Sequence, residues 1–291
     1  MKEKGFSKHR KQGETAEQHE ERMRLEETLE DIKHKLIVIS GKGGVGKSTV
    51  AVNLATGLAR KGHTVGILDV DIHGPNIAKM LGLEGERTKP AQSNRVFPVS
   101  ASDNLKVISI AFFLEKDSDA VIWRGPLKMK IIKQFLSDVE WGKLDYLVVD
   151  SPPGTGDEPL SVGQLIPNLD GAVIVTTPQE VAILDARKCV TFARQLGIPV
   201  TGIIENMSGL ICPHCGREIN VFKKGGAEKA ARELDLPFLG SIPLEPLLVT
   251  SSDEGRPFIE AHEDTESARS INAIIEKIEK AIAEKEPRRQ E

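Results

Sequence analysis

The stretch LIVISGKGGVGKST, residues 36–49, decides the fold of this chain. A short β-branched run ends at Ser40, a glycine-rich loop follows, and Val50, Leu54 and Leu58 then recur at helical spacing. The loop satisfies the pattern G-x-x-x-x-G-K-[ST], in which glycines let backbone amides wrap around a phosphate group. Strand, loop and helix together predict a P-loop. The alternative, a glycine-rich turn that binds nothing, is less favoured because all three parts are in place.

The residues of this loop predict how it holds a nucleotide. Lys47 is expected to reach the β- and γ-phosphates, and the Ser48 hydroxyl is expected to ligate Mg²⁺. The following helix adds the partial positive charge of its N-terminus. The predicted nucleotide-binding residues of the loop are Gly41, Lys42, Gly43, Gly44, Val45, Gly46, Lys47, Ser48 and Thr49.

Further apolar runs alternate with helical patterns along the chain. Such runs, without polar alternation, are typical of strands covered on both faces, and intervening helices give βαβ units. We therefore predict an α/β fold, a P-loop NTPase with a doubly wound, mostly parallel sheet and helices on both faces. The predicted strands after the first lie at 64–70, 105–110, 146–150, 171–177 and 200–206.

Composition divides the chain into three predicted parts. Residues 1–34 include seventeen charged side chains and are interpreted as a partly disordered extension that leads into a helix. Residues 35–262 are the predicted P-loop ATPase domain, which includes a C-x-x-C loop. Residues 263–291 are the predicted closing helix, packed on the domain, with a charged tail. The apolar stripe of that helix is Ile271, Ile274, Ile275, Ile278 and Ile282.

The overall composition argues against several classes of function. The 291 residues carry a net charge of -4 and only 4% aromatic residues, which disfavours nucleic-acid binding. No apolar run approaches the roughly 20 residues that span a bilayer, and the N-terminus does not resemble a secretory signal. Three cysteines are too few for a disulfide-stapled secreted fold, so we expect a cytoplasmic protein without a membrane partner.

Carboxylates follow two of the predicted strands. Asp69 and Asp71 end the second strand, and alternation predicts that both lie on one side of it, near the ligand-binding edge of the sheet. One of them is expected to assist Mg²⁺ through water and the other to orient the attacking water; capping of the next turn is the alternative. Asp150 ends the run LDYLVVD, as a Walker B acid does. The proline- and glycine-rich loop 151–158 is typical of a segment that responds to the γ-phosphate.

A pair of cysteines, Cys212 and Cys215, lies in the loop GLICPHCGREINVF. Two thiolates at this spacing can bind one soft metal centre, but structural zinc or an iron–sulfur cluster usually requires four ligands. Either His214 and another residue complete a zinc site, or two subunits each donate a pair across a two-fold axis. A redox dithiol and an inert surface pair are further alternatives, and spacing alone does not separate them. Cys189 lies on an apolar helix face and is predicted to be a core residue.

Two later positions are candidates for contacting the nucleotide base. Asn206 ends the sixth predicted strand and can pair with an adenine edge through both its amide donor and its acceptor. Pro243 lies in the segment Ser241-Ile242-Pro243, which is interpreted as a turn.

Six motifs, taken together, resemble the Mrp/ApbC family of P-loop ATPases of iron–sulfur cluster assembly over about residues 35–260. They are GKGGVGKST, DVDIHGPN, VIWRGP, WGKLDYLVVDSPPGTGDEPL, ENMSGLICPHCG and GSIPL. The first is similar to the deviant Walker A loop shared by ParA, MinD, the arsenite pump ATPase and the nitrogenase iron protein. This resemblance implies that Lys42 reaches the partner's nucleotide across a homodimer interface. It also implies ATP as the nucleotide, Asp71 beside the attacking water, Asp69 near the metal, and Asn206 and Pro243 at the base.

The resemblance further implies a function and its partners. A homodimer would hold a [4Fe–4S] cluster bridged by Cys212 and Cys215 of both chains, received from cluster donor proteins and delivered to recipient apoproteins. Slow ATP hydrolysis, with Lys42, Lys47 and Asp71 as catalytic residues, would be coupled to loading or transfer. Two alternatives remain: a ParA/MinD-like positioning ATPase, and an ATPase with a structural zinc site. The first is disfavoured because the closing helix carries mixed charge and lacks Trp and Phe.

Overall fold

Strands from distant parts of the sequence pair side by side at the centre of the protein. The computed structural model describes residues 10, 13–93, 95–114, 125–211, 215 and 217–285. The strands are β1 (Ile32–Ile39), β2 (Val65–Asp69), β3 (Lys89–Pro90), β4 (Val96–Phe97), β5 (Val99–Ser102), β6 (Leu105–Ile108), β7 (Leu144–Asp150), β8 (Gly171–Thr176), β9 (Val200–Ile211), β10 (Glu218–Ile219) and β11 (Phe238–Leu244). The helices are α1 (Ala16–Glu30), α2 (Lys47–Arg60), α3 (Ile77–Met80), α4 (Gly125–Ser137), α5 (Asp157–Leu165), α6 (Glu180–Gln195), α7 (Gly226–Glu233), α8 (Pro246–Asp253), α9 (Phe258–Ala261) and α10 (Glu266–Ala283).

The main sheet has the strand order β10-β9-β8-β1-β7-β2-β6-β5, and β11 also pairs with β9. β1 pairs in parallel with β7 and β8, and β2 pairs in parallel with β7 and β6. β10 and β5 run antiparallel to their neighbours, and β3 and β4 form a separate small antiparallel sheet. This topology confirms the predicted α/β fold with a mostly parallel sheet.

Side chains from the two faces of the sheet enter two separate apolar clusters. Along β1, Leu36 and Val38 pack into one cluster, whereas Ile37 and Ile39 pack into the other. Since neighbouring residues of a strand point to opposite faces, a strand covered on both sides must be apolar throughout. This requirement explains the unbroken run that the sequence shows at 36–39.

Helices cover both faces of the sheet. α2, α9 and α10 supply apolar residues to the first cluster, and α4, α5, α6 and α7 supply them to the second. Five isoleucines of α10 form its predicted stripe and are at most 5% exposed, so the closing helix packs on the domain as expected. Among the described residues, no helix combines the length and the apolar character needed to cross a membrane.

All six predicted strands are present, but several boundaries differ from the prediction. β9 continues to Ile211, so Asn206 lies inside this strand and does not end it as predicted, because pairing with β11 and β10 extends the strand. β1 begins at Ile32, which pairs with Leu144, although two lysines obscure its first half in the sequence. The segment Ser241–Pro243, interpreted as a turn, lies within strand β11 instead. Gly240 and Pro243 make this strand resemble a turn, whereas pairing with β9 keeps it extended.

The predicted helix of the N-terminal segment is α1. Thr15 and Gln18 form a capping box at its start, in which each side chain bonds the backbone amide of the other. Leu25 and Leu29 are buried in the apolar cluster that includes α4, and Lys133 of α4 bonds Glu21 at 2.5 Å. The second half of the predicted extension is therefore a docked helix.

Candidate functional site

The P-loop connects β1 to α2 at the carboxyl edge of the sheet. Gly44 and Gly46 adopt positive φ angles of 78° and 81°, which favour glycine. A Cβ atom at Gly46 would lie 2.1 Å from Asn206 Nδ2, and one at Gly41 would lie 2.4 Å from the backbone of Asp185. Close packing around the loop thus requires glycine at two of the predicted positions.

The P-loop borders a cavity of about 200 Å³. Residues of the predicted loop supply most of its wall, and Asp71, Asn76, Met80 and Pro153 supply the rest. The N-terminus of α2 faces this space, so its free backbone amides favour an anionic ligand. The cavity is a suitable place for the phosphate groups of a nucleotide.

Lys47 is buried and bonded to the carboxylate at the end of β7. Its Nζ lies 2.5 Å from Asp150 Oδ1 and 3.2 Å from Ser48 Oγ. Asp150 is 1% exposed, and its Oδ2 has no hydrogen-bond partner among the described residues. The Ser48 hydroxyl and the Asp150 carboxylate, which both contact Lys47 Nζ, are hard oxygen donors of the kind that Mg²⁺ prefers, so this part of the site fits the predicted metal.

Asp69 lies beneath the loop and does not line the cavity. Its Oδ1 accepts a hydrogen bond from the Asp71 amide at 3.1 Å, and its Oδ2 accepts one from Ser109 Oγ at 2.9 Å. Burial, and then repulsion from Asp150, raise the pKa of Asp69 to about 8, against the opposing effect of Lys47. Asp69 is thus a buried support of the site, consistent with an indirect role near the metal.

Asp71 follows the end of β2 and is not part of the strand. The prediction that alternation places both carboxylates on one side of a strand was wrong, because β2 ends at Asp69. Asp71 Oδ1 instead accepts a hydrogen bond from the Gly74 amide at 3.3 Å, which is the turn-capping alternative. The same side chain lines the cavity, and burial raises its pKa. Asp71 therefore borders the same cavity as the P-loop.

Two predicted nucleotide contacts bond to other parts of the chain. Lys42 Nζ donates to Gln179 Oε1 at 3.3 Å, at the start of α6. Asn206 is 5% exposed, and its Nδ2 donates to the Val45 carbonyl of the P-loop at 2.9 Å. The two-sided pairing of Asn206 with adenine would require this bond to open. Pro243 lies in β11 next to Ile242, the residue that pairs with Asn206.

The loop after β7 is hydrogen-bonded to β1 and to Ser40, the residue before the P-loop. The Ser151 amide donates to the Val38 carbonyl at 3.2 Å, and the Gly154 amide donates to the Ser40 carbonyl at 2.7 Å. These contacts place the predicted nucleotide-responsive segment beside the phosphate cavity.

β9 and β10 form a hairpin, and Cys215 lies in the chain that connects them. Glu218 and Ile219 pair with Ile211 and Leu210. Cys215 is exposed, and Cys212 and His214 lie outside the described residues. The described residues contain no group of three His, Cys, Asp or Glu side chains arranged to hold a metal ion.

The third cysteine is part of the core, as predicted. Cys189 is 0% exposed, and burial, followed by repulsion from Asp185, raises the pKa of its thiol to about 12. It is therefore an unreactive residue at neutral pH.

The sequence analysis missed Glu205, Ser109 and Gln179. Glu205 is 0% exposed and accepts hydrogen bonds from two backbone amides near the start of α7. A carboxylate inside the apolar run VTGIIEN was the signal that could have identified it, because buried acids are rare without dedicated partners. Ser109 and Gln179 carried no comparable signal, since their roles depend on contacts with Asp69 and Lys42.

The loop, the buried lysine and the parallel sheet define the protein as a P-loop NTPase of the MinD/ParA type. Its fold is similar to MinD of Pyrococcus horikoshii in complex with Mg-ADP, with a TM-score of 0.62 and 22% identity over 85% of this chain and 96% of that chain. A nucleotide-binding protein from Archaeoglobus fulgidus, solved in complex with ADP and found to contain cobalt, is more similar. Its TM-score is 0.72 and its identity 41%, over 81% of this chain and 92% of that chain.

Residues 31–279 match the family described as "ParA: NUBPL iron-transfer P-loop NTPase", and the chain belongs to this family. The iron-sulfur cluster carrier protein of Methanocaldococcus jannaschii is 50% identical over 258 residues, which cover 88% of this chain and 89% of that protein. The protein of the same name from Methanococcus maripaludis is 49% identical over 259 residues, 88% of this chain and 89% of that protein. These matches confirm the resemblance that the six motifs indicate.

Proposed function

We propose that the protein is a cytoplasmic, ATP-hydrolysing carrier of iron–sulfur clusters. Two copies of the chain hold a [4Fe–4S] cluster between their cysteine pairs and transfer it to recipient apoproteins, after loading by a donor protein. The observation that carries this proposal is the course of β9. This strand runs from the P-loop contact at Asn206 to the hairpin of the cysteine pair, so one element joins the two sites. The names of the two archaeal relatives support the same function.

In the proposed reaction, the chain positions ATP and stabilises the charge that develops during phosphoryl transfer. Lys47 exchanges its bond with Asp150 for the β- and γ-phosphates, and Ser48 and Asp150 provide oxygen ligands or outer contacts for Mg²⁺. When bound, Mg²⁺ neutralises charge on the phosphate oxygens. Asp71 orients the attacking water, and Lys42 leaves Gln179 to reach the nucleotide of the partner subunit. Asn206 and Pro243 contact the base.

Ligand number supports two copies for the cluster. One C-x-x-C pair supplies two thiolates, whereas a [4Fe–4S] cluster is held by four. A two-fold axis through the nucleotide-bound dimer doubles the pair without a further motif. A positioning ATPase that docks on a membrane would need an apolar helix face, and the five isoleucines of α10 are already buried.

The test is an iron and sulfide count on anaerobically reconstituted protein. We expect about four irons and four sulfides per two chains, and loss of both in Cys212→Ser and Cys215→Ser with nucleotide binding retained. Cys189→Ala is the matched control, because this cysteine is buried in the core whereas Cys215 is exposed. One zinc per chain without sulfide would instead support the structural-zinc alternative. A cluster retained in either Ser variant would contradict the bridging assignment.

A further inference from the structure

Glu205 holds together the two ends of the segment that carries the cysteine pair. Its Oε1 accepts hydrogen bonds from Ser208 Oγ at 2.6 Å and from the Gly225 amide at 2.8 Å, and its Oε2 accepts one from the Ala227 amide at 2.7 Å. Ser208 lies within β9, beyond its last pairing with β8 and before its pairing with β10, whereas Gly225 and Ala227 lie at the start of α7. One carboxylate therefore connects the chain before the cysteine hairpin to the chain after it.

This arrangement is built for a carboxylate rather than for a neutral amide. Glu205 is completely buried, and burying a charged group is costly unless it is well bonded. Two backbone amides and the N-terminus of α7 offset that cost, since they present only donors and partial positive charge. A glutamine would place its NH₂ group against the amide of Gly225 or of Ala227, where no acceptor is available.

The neighbouring residue on the same strand contacts the P-loop. Asn206 donates to the Val45 carbonyl at 2.9 Å, and the side chains of adjacent strand residues point to opposite faces. The peptide between Glu205 and Asn206 thus has the phosphate loop bonded on one side and the cysteine segment on the other. This part of β9 is paired on both sides, since Glu205 pairs with Thr176 of β8 and with Ser241 of β11. We therefore expect Glu205 and Asn206 to move together with these strands.

We propose that Glu205 is a positioning residue that transmits displacement of the P-loop, through Asn206 and β9, to the segment that carries Cys215. Nucleotide exchange at the P-loop then changes the position of the cysteine hairpin relative to α7. The proposal deepens the proposed function, on which it rests, because it assigns the physical connection between the nucleotide and the cargo site. Without the three bonds of Glu205, both sites remain but respond independently.

The experiment measures how fast Cys215 reacts with a maleimide in cluster-free protein with and without ATP. A Cys212→Ser background leaves Cys215 as the reporter, because Cys189 is buried and its thiol pKa is raised. We expect ATP to change the labelling rate by at least about fivefold, the lower end of ordinary coupling between two sites. In Glu205→Gln this ratio should fall towards one, while the affinity for a fluorescent ATP analogue stays within about twofold of its starting value.

Two further variants make the result decisive. Glu180→Gln removes an exposed carboxylate that pairs with Lys223 of the same segment at 2.9 Å, and it should keep the full ATP response. Ser208→Ala deletes one of the three bonds and leaves the charge in place, so it should fold and show an intermediate ratio.

Two results would overturn the proposal: an unchanged ratio in both Glu205→Gln and Ser208→Ala, or no ATP response in the parent. Neither depends on a cluster, so the iron and sulfide count tests the carrier function separately.

Discussion

Replacing Lys47 by methionine tests whether this lysine stabilises the protein before any nucleotide binds. Lys47 is 6% exposed and its Nζ lies 2.5 Å from Asp150 Oδ1, while Asp150 is 1% exposed. Methionine fills a similar volume and removes the positive charge. The buried Asp150 carboxylate then remains without its cation. Removal of one partner from a buried ion pair costs about 3–5 kcal/mol.

The loss should be visible in thermal unfolding without nucleotide. For a chain of this size each 1 kcal/mol corresponds to roughly 2–4 °C, so we expect Tm to fall by about 6–20 °C at pH 7.5. The deficit should grow above about pH 8. Lys47 holds the pKa of Asp69 down to about 8, so the wild type stops losing stability from this acid above that pH, whereas in the variant Asp69 keeps its proton to higher pH and the loss continues.

A double variant separates the ion pair from the nucleotide contact. Adding Asp150→Asn to Lys47→Met removes the unpaired charge and should recover most of the lost stability. Binding of a fluorescent ATP analogue should remain absent, because the phosphate contact of Lys47 is still missing. Wild-type stability of the single variant at pH 7.5 would refute the reasoning, since it would show that the pair contributes nothing in the free protein.

Three further substitutions test the surroundings of the P-loop. Gln179→Ala frees Lys42 from its bond within the chain, so the ATP-dependent dimer should form at a severalfold lower protein concentration in sedimentation experiments, whereas Lys42→Ala should weaken it. Asp69→Asn keeps the bond from the Asp71 amide, reverses the bond with Ser109 so that the new NH₂ group donates to Ser109 Oγ, and removes the titration of Asp69. Its unfolding free energy in urea should therefore decline less steeply than that of the wild type as the pH rises from about 5 to about 8, because Asp71, whose pKa burial also raises, still titrates in the variant; a parallel decline would contradict the assignment. Asp71→Asn should lower ATP hydrolysis by about 10²-fold or more and leave binding of the ATP analogue in place. Unchanged hydrolysis would remove Asp71 from the reaction.

Local patterns were sufficient for much of the fold. Six of the parallel strands follow from apolar runs, because burial on both faces leaves no room for polar alternation. The isoleucine stripe predicted α10 in the same way. β11 was missed because Gly240 and Pro243 read as a turn, and the pairing with β9 that extends them involves residues about 35 positions away.

In the candidate site, too, the features set by nearby residues were predicted and those set by distant residues were not. The loop at 41–49 was predicted residue by residue, since its glycines, lysine and serine act through backbone geometry that is local in sequence. Asp71 was misplaced on the strand, because strand ends depend on where neighbouring strands stop pairing. Glu205 was overlooked because its partners, the amides of Gly225 and Ala227, belong to a later helix.

The sequence by itself determined the phosphate loop, the apolar strands and the spacing of the cysteine pair, since each depends on residues only a few positions apart. Only the tertiary structure decided which groups meet: Lys47 with Asp150, Lys42 with Gln179, and Glu205 with the start of α7. The physical reason is that a buried charge is stable only beside partners of suitable geometry, and those partners come from strands and helices far along the chain.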